Sequence, residues 1–204
     1  QWHLAWKLNY ADQLPWYYIN SADTDRIASN TTNQRSTAHV SARFRPIDWF
    51  AARIGIQGYH QRSEFQVASE DALFIMNGRP SVTMADVGVF AEVGLKGRWG
   101  NLLGGYRLEH NTLSGSFTAP RVSYTKAVGR VHLKAMWSRA FRTPTVMNLN
   151  YGPEDGTVVA EYVTTAESET GLRLGKATWL TLNVYETRIE DPIVYVYDAV
   201  TYDN

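Results

Sequence analysis

Apolar and polar residues alternate along most of this sequence, and that pattern restricts the folds open to the chain. The period of two begins in QWHLAWKLNY and recurs in RSTAHVSARFR, MADVGVFAEVGLK and VHLKAMWS. Successive side chains of a β-strand point to opposite faces, so the pattern predicts strands with one apolar and one polar face. We predict about ten such strands, with shorter ones near Arg121–Lys126 and Ile193–Tyr202, and no helical period of comparable length.

The connections between the predicted strands fall into two lengths. Tight turns are predicted near Pro46, Gly97, Lys126 and Gly175. Long polar connections are predicted at Ala11–Gln34, Gln61–Val82, Asn111–Ala119 and Phe141–Val159. In an antiparallel sheet the two kinds of connection then lie at opposite ends. Outer-membrane barrels have this arrangement, with short periplasmic turns and long extracellular loops.

Alternation does not state which face points inward. The polar face carries Arg and Glu in mid-strand, whereas the apolar face includes small residues such as Ala42, Ala52 and Gly104. Small residues fill a core poorly but are tolerated against lipid chains. Trp and Tyr near strand ends suit the aromatic girdles of membrane barrels; they are Trp2, Tyr10, Trp49, Trp99, Trp137 and Trp179. We therefore favour a transmembrane antiparallel β-barrel over a soluble β-barrel that binds a lipophilic ligand.

Composition excludes several other classes of protein. The formal net charge is zero, with 20 basic and 20 acidic residues, so we expect no nucleic-acid partner. The chain has no cysteine, and its five histidines lack metal-ligand spacing. No nucleotide-binding or hydrolase motif is present, and Glu190 and Asp191 would point to opposite faces of a strand. We expect neither an enzyme nor a cofactor or metal site.

The segment WSRAFRTPTVMNLNYG, from Trp137 to Gly152, resembles a known family. This stretch resembles the signature of TonB-dependent outer-membrane receptors, in which a barrel strand ends in Ser-Arg-Ala-Phe-Arg-x-Pro-Thr and enters a long extracellular loop. Further segments fit the same family in the same order: GGYRLEHN, APRVSYT, ESETGLRLG and LTLNVYETRIEDPIV. The resemblance covers about Leu102 to Val194, and Phe-Arg-Thr-Pro-Thr is its most specific part.

The resemblance implies a bacterial outer-membrane protein that imports a scarce nutrient. The cargo would be a ferric siderophore, haem, cobalamin or a glycan, and an inner-membrane protein would supply the energy. Such barrels have 22 strands around an N-terminal plug domain. We expect residues 1–204 to be a single partial barrel domain, without plug or linker. The implied partners are the plug, the energy-coupling protein, outer-membrane lipid and lipopolysaccharide. A small passive channel or structural barrel is the alternative function.

Three groups of residues are candidates for function. Aromatic and apolar side chains in two predicted loops could contact a ligand, or could pack within the loops themselves: Trp16, Tyr17, Tyr18, Phe74 and Met76. Charged residues of the polar face would line the lumen and hold the plug, or pair with one another: Arg43, Arg53, Glu92, Arg107, Glu109, Lys134 and Arg173. In the signature, Phe141, Arg142 and Pro144 would form a hinge between strand and loop, with Arg139 and Arg142 at the height of lipid or lipopolysaccharide phosphates.

Overall fold

Nine long strands make up the described fold. The structure, a computed structural model, describes residues 1–19, 27–65, 80–146, 148 and 158–194. The strands are β1 (Trp2–Ile19), β2 (Ile27–Ile47), β3 (Phe50–Phe65), β4 (Ser81–Gly97), β5 (Gly100–Asn111), β6 (Gly115–Val128), β7 (Val131–Arg142), β8 (Glu161–Arg173) and β9 (Trp179–Glu190). No helix within those ranges is long and apolar enough to cross a membrane. The predicted all-β antiparallel fold is confirmed.

The strands form one sheet in sequence order, β1 to β9, and every neighbouring pair is antiparallel. Tight turns at residues 48–49, 98–99 and 129–130, and a short connection at 174–178, lie at one end of the sheet, which we call the turn end. The connections 20–26, 66–80, 112–114 and 143–160 lie at the other end, the loop end. Gly129 has a φ of 58°, a left-handed conformation that favours glycine in a two-residue hairpin turn.

The sheet has very little hydrophobic core. Among the described residues only five apolar side chains are buried: Met84, Phe117, Pro144, Val146 and Ala160. The apolar stripe of β1 is by contrast open, from Trp2 at 74% exposure to Tyr10 at 64%. A contiguous apolar surface of this kind needs a nonaqueous partner. Eight steps of about 3.3 Å, tilted by about 45°, span roughly 19 Å, comparable to the about 25 Å apolar band of a membrane barrel.

Two predicted loops are wrong in extent. The predicted connection Ala11–Gln34 is mostly strand, because β1 continues to Ile19 and β2 begins at Ile27. The predicted connection Asn111–Ala119 is a turn of residues 112–114, and β6 begins at Gly115 with a φ of 88°. Period two fails in both extensions, because β2 is polar at consecutive positions from Ser29 to Gln34, whereas β1 is apolar or aromatic at consecutive positions from Leu14 to Ile19.

Nine of the predicted strands are present, and one aromatic placement differs from expectation. The predicted strand near Arg121–Lys126 is part of β6, whereas the one near Ile193–Tyr202 lies almost wholly outside the described residues. Trp179, predicted for a lipid-side girdle, is opposite Arg173 and packs edge-on against His132 with ring centroids 6.0 Å apart. It therefore lies on the polar face.

Candidate functional site

The polar face of the sheet gathers the seven charged residues that the sequence predicted there. Arg43 on β2, Arg53 on β3 and Glu92 on β4 stand in one continuous row of paired positions. Arg107 and Glu109 follow on β5, Lys134 on β7 and Arg173 on β8, each in register with this face. The period of two thus brings charges from six strands onto one surface.

Ion pairs organise this surface. Arg107 pairs with Glu109 two positions along β5, with Nε 2.6 Å from Oε2. Lys134 Nζ donates to Glu167 Oε1 at 2.8 Å, and His132 Nε2 lies 2.6 Å from Glu169 Oε1. These contacts run diagonally between β7 and β8, since Lys134 stands opposite Glu169 in the register. The polar face is therefore largely paired with itself.

Two ion pairs span an intervening strand: Arg139 on β7 reaches Glu190 on β9, and a second pair crosses β5. Arg121 on β6 pairs with Glu92 on β4, and Gly105 on β5 stands opposite both of them. A Cβ at position 105 would lie 3.1 Å from Arg121 Cγ and Nε. Because Gly105 has no side chain, the side chain of Arg121 can cross β5 at this position and reach Glu92. Arg121 is not among the residues predicted for this face. A glycine at a polar-face position, Gly105, is the sequence feature that could have indicated it.

Other polar-face glycines serve the same purpose. The ring of Phe90 lies over Gly55, and the His132 ring lies over Gly171. At Gly88, a Cβ would come within 3.0 Å of both Arg107 Nη2 and Glu109 Oε2. Because glycine has no side chain, a neighbour can lie flat across its strand. The polar face is flattened where long side chains would otherwise collide.

Arg53 and Phe90 form a mixed polar and aromatic surface in the middle of the sheet. Arg53 Nη2 donates to Ser41 Oγ at 3.3 Å, and its guanidinium carbon lies 5.2 Å from the Phe90 ring centroid. His39 stacks on the same ring at 5.8 Å. A groove of about 530 Å³ runs past these residues, and its lining also includes Arg107, Arg121 and Arg139. Four arginines therefore line this groove, together with the carboxylate of Glu92.

At the loop end, the connection after β7 folds back over the sheet. Val146 is buried and packs against Met84, with Tyr59 and Val82 beside them. These partners belong to β4 and β3, three and four strands away from β7 in the sheet order. They lie on the polar face, because Tyr59 and Met84 are in register with it. The start of this connection therefore crosses the polar face at its loop end.

Asn111 closes the same region from β5. Its Oδ1 accepts from the backbone N–H groups of Leu113 at 2.9 Å and Ser114 at 3.2 Å, while its Nδ2 donates to Tyr59 Oη at 3.2 Å. Its side chain is fully buried. An Asn that accepts from the next backbone amides replaces a longer loop by a tight turn. This contact explains why the predicted loop from Asn111 is only three residues long.

The signature segment is held by acidic partners on β8 and β9. Arg142 Nη2 donates to Glu161 Oε2 at 3.1 Å and to the Ile193 carbonyl at 2.9 Å, and Glu161 also accepts from the Ile193 N–H at 3.0 Å. Arg139 Nη2 donates to Glu190 Oε2 at 3.1 Å. The guanidinium carbon of Arg139 lies 3.9 Å from the Tyr162 ring centroid. Pro144 is fully buried, two residues after β7 ends.

Comparison with known proteins identifies the family. The profile described as "TonB dependent receptor-like, beta-barrel" matches residues 1–204. The chain belongs to the TonB-dependent receptor family. Curated protein sequences gave no match.

Solved structures with this fold include the ferric enterobactin receptor PfeA of Pseudomonas aeruginosa, in a G324V mutant, with 15% identity and a TM-score of 0.69. The siderophore receptor PirA of Acinetobacter baumannii has 14% identity and a TM-score of 0.64. In both cases 93% of this chain covers 32% of the other chain. PirA of Pseudomonas aeruginosa matches over 77% of this chain and 33% of its own, with 16% identity and a TM-score of 0.58.

Membership in the TonB-dependent receptor family confirms the predicted resemblance and location. The chain is an outer-membrane protein of a Gram-negative bacterium, and the predicted barrel fold is correct. The family and the matched structures are receptors, in agreement with the expectation that this is not an enzyme. The chain spans about a third of the length of these structures, and its nine described strands form an open sheet.

The remaining candidates are placed only in part. Trp16, Tyr17 and Tyr18 belong to the backbone of β1, where they pair with Thr31, Asn30 and Ser29, and their side chains lie outside the described part of the structure. Phe74 and Met76 lie outside the described residues altogether. Over the described ranges no group of three or more His, Cys, Asp or Glu could hold a metal ion.

The two arginines of the signature have partners within the sheet. Arg139 and Arg142, which are predicted to lie at the height of lipid or lipopolysaccharide phosphates, both donate to carboxylates in the structure. The pairing between Arg142, Glu161 and Ile193 joins the end of β7 to the segment that leaves β9. These residues brace the chain at the loop end, which agrees with a hinge between strand and loop.

Proposed function

We propose that this chain is part of a receptor that imports a scarce nutrient across the outer membrane, with energy coupled from the inner membrane. The observation that carries the proposal is the family match along the whole chain. Several solved proteins with the same fold are described as receptors for ferric enterobactin or siderophores. A ferric siderophore is therefore the first cargo to test, ahead of haem, cobalamin or a glycan.

The polar face, in this proposal, lines the barrel lumen and contacts the plug domain. Two features support this placement of the polar face. Its ion pairs of mixed sign leave a flat polar wall, and its glycines flatten that wall further. The row formed by Arg43 and Arg53 differs, because no ion pair within the described residues involves either of them. Those two arginines are the best placed to receive carbonyl or carboxylate groups from a plug.

The groove beside Phe90 is the proposed contact with passing cargo. Arg53, which forms no ion pair among the described residues, and the Phe90 ring suit an anionic, ring-bearing chelate, since the cation attracts the charge and the aromatic face stacks on the ring. The aromatic residues Trp16, Tyr17 and Tyr18 and the apolar residues Phe74 and Met76 are proposed as an earlier contact, in the extracellular part of the receptor.

Uptake of radiolabelled iron tests the import proposal. Cells that express the full receptor containing this chain should accumulate ferric siderophore, and collapse of the proton motive force should abolish accumulation while leaving surface binding intact. A passive channel would continue to equilibrate its solute after the collapse. Equal uptake with and without proton motive force would therefore replace active import by the channel alternative.

A further inference from the structure

Charges at the turn end of the sheet are almost all positive. We define the turn rim as the charged residues within three positions of the connections 48–49, 98–99, 129–130 and 174–178. They are Arg45, Asp48, Lys96, Arg98, Lys126, Arg130, Arg173 and Lys176, seven basic residues and one acidic residue. The rest of the chain holds the other 13 basic and 19 acidic residues. The chain is neutral as a whole and strongly polarised along the strands.

Most turn-rim cations are open to an external anion, whereas Arg173 donates to the Gly175 carbonyl. Six of the seven are exposed, and Lys126 is half-buried. The single acidic residue, Asp48, is matched to Arg45 at 3.1 Å. Among the described residues, the other six cations form no ion pair. By contrast, most cations further along the sheet pair with a carboxylate, as Arg107, Arg121, Lys134, Arg139 and Arg142 do.

Aromatic side chains stand beside the turn-rim cations. Trp49 and Trp99 occupy two of the turns and are 57% and 48% exposed. Tyr124 donates its hydroxyl to the Trp99 carbonyl, which fixes its ring near the same turn. Trp and Tyr rings at a membrane surface mark the level of the lipid headgroups. The cations therefore emerge at the height of phosphate groups.

We propose that the turn rim binds the headgroups of anionic phospholipids in the periplasmic leaflet. Short turns of an outer-membrane barrel lie on the periplasmic side. Clustered Lys and Arg next to a bilayer attract anionic headgroups, and each cation adds to the attraction. Lys96 and Arg173 lie on the polar face, whereas Arg98, Lys126, Arg130 and Lys176 are spread over three successive turns, and so these four follow the line where the barrel wall leaves the bilayer. The proposal rests on the outer-membrane location and is independent of the cargo.

The pattern favours lipid over an acidic protein segment. A protein partner would be expected to meet a compact patch, whereas these cations repeat at each turn across the width of the sheet, interleaved with exposed tryptophans. Lipid headgroups form a continuous layer around a barrel, so they can contact the cations of every turn at once. The opposite end differs in sign: the connections 20–26, 66–80, 112–114 and 143–160 contain six acidic and two basic residues.

The test uses the full receptor containing this chain, purified in detergent and titrated with phosphatidylglycerol or phosphatidylcholine. Native mass spectrometry counts the retained lipids. The rim variant combines Arg98→Gln, Lys126→Gln, Arg130→Gln and Lys176→Gln. A charge-matched control removes four arginines elsewhere in the chain: Arg26→Gln, Arg62→Gln, Arg79→Gln and Arg188→Gln. Unchanged heat-modifiable gel mobility shows that each variant is folded.

Wild type and control should retain phosphatidylglycerol in preference to phosphatidylcholine, and added salt should weaken this preference. The rim variant should retain phosphatidylglycerol at least about tenfold more weakly. Equal weakening in the control, or no lipid preference in wild type, would overturn the proposal. Loss of uptake in a rim variant that binds phosphatidylglycerol normally would also overturn it and would assign the rim to a protein partner.

Discussion

At the scale of single residues, the adjacent glycines Gly104 and Gly105 offer a direct comparison. Gly105→Val should break the pair between Arg121 and Glu92, since a side chain at 105 would block the path across β5. Gly104→Val is the control, because no heavy atom lies within 4 Å of a Cβ there and its side chain joins the apolar face.

In denaturant unfolding of the full receptor, the pair of Arg121 with Glu92 should contribute about 0.2–1 kcal/mol to the free energy of unfolding in the wild-type background. A double-mutant cycle at positions 92 and 121 should give no coupling after Gly105→Val. Persistent coupling would show that Arg121 reaches Glu92 by another path.

Asn111 is the residue whose loss should cost the most at the loop end. Asn111→Ala removes the acceptor for two backbone amides and the donor to Tyr59, all at a buried site. Buried groups that lose a partner cost about 1–3 kcal/mol. Asn111→Ser keeps a side-chain oxygen that can accept from the turn amides and loses the amide donor to Tyr59, so its unfolding midpoint should fall between those of wild type and Asn111→Ala. If the two variants unfold together, the amides of Leu113 and Ser114 do not depend on this side chain.

At the scale of elements, the connection after β7 makes a testable contact with β4. Val146→Asp places a charge against Met84 in a buried apolar contact, which is strongly unfavourable. The segment should detach, and proteinase K should cut the connection 143–160 at least about tenfold faster. Val159→Asp, at a position of 54% exposure in the same connection, is the matched control and should leave the rate unchanged. Similar rates for wild type and Val146→Asp would show that Val146 does not anchor this segment.

How far the sequence predicts each element depends on what surrounds it. Alternation located β4, β5 and β7 because one face of each is apolar through most of the strand. It missed the loop-end halves of β1 and β2, where apolar or aromatic residues (β1) or polar residues (β2) stand at consecutive positions and period two carries no signal. Likewise, it predicted the polar face but not the pair of Arg121 with Glu92. That contact depends on a glycine of the strand between them, and so on the register of three strands.

At the scale of the whole molecule, the sheet is a wall between lipid and a polar interior, and arginine substitutions should report on depth. Ile56 lies at the middle of the apolar face, whereas Ile47 lies at the turn end beside Asp48. Ile56→Arg should destabilise the receptor in a bilayer by about 2–4 kcal/mol, and Ile47→Arg by about 0–1 kcal/mol. Gln57→Arg, the next residue along β3 and on the polar face, should cost little. Unfolding in phospholipid vesicles, followed by tryptophan fluorescence, measures all three. Equal losses of unfolding free energy at positions 47 and 56 would show that the cost of arginine does not depend on depth, and only a bilayer imposes such a dependence. The apolar face would then be meeting protein instead of lipid.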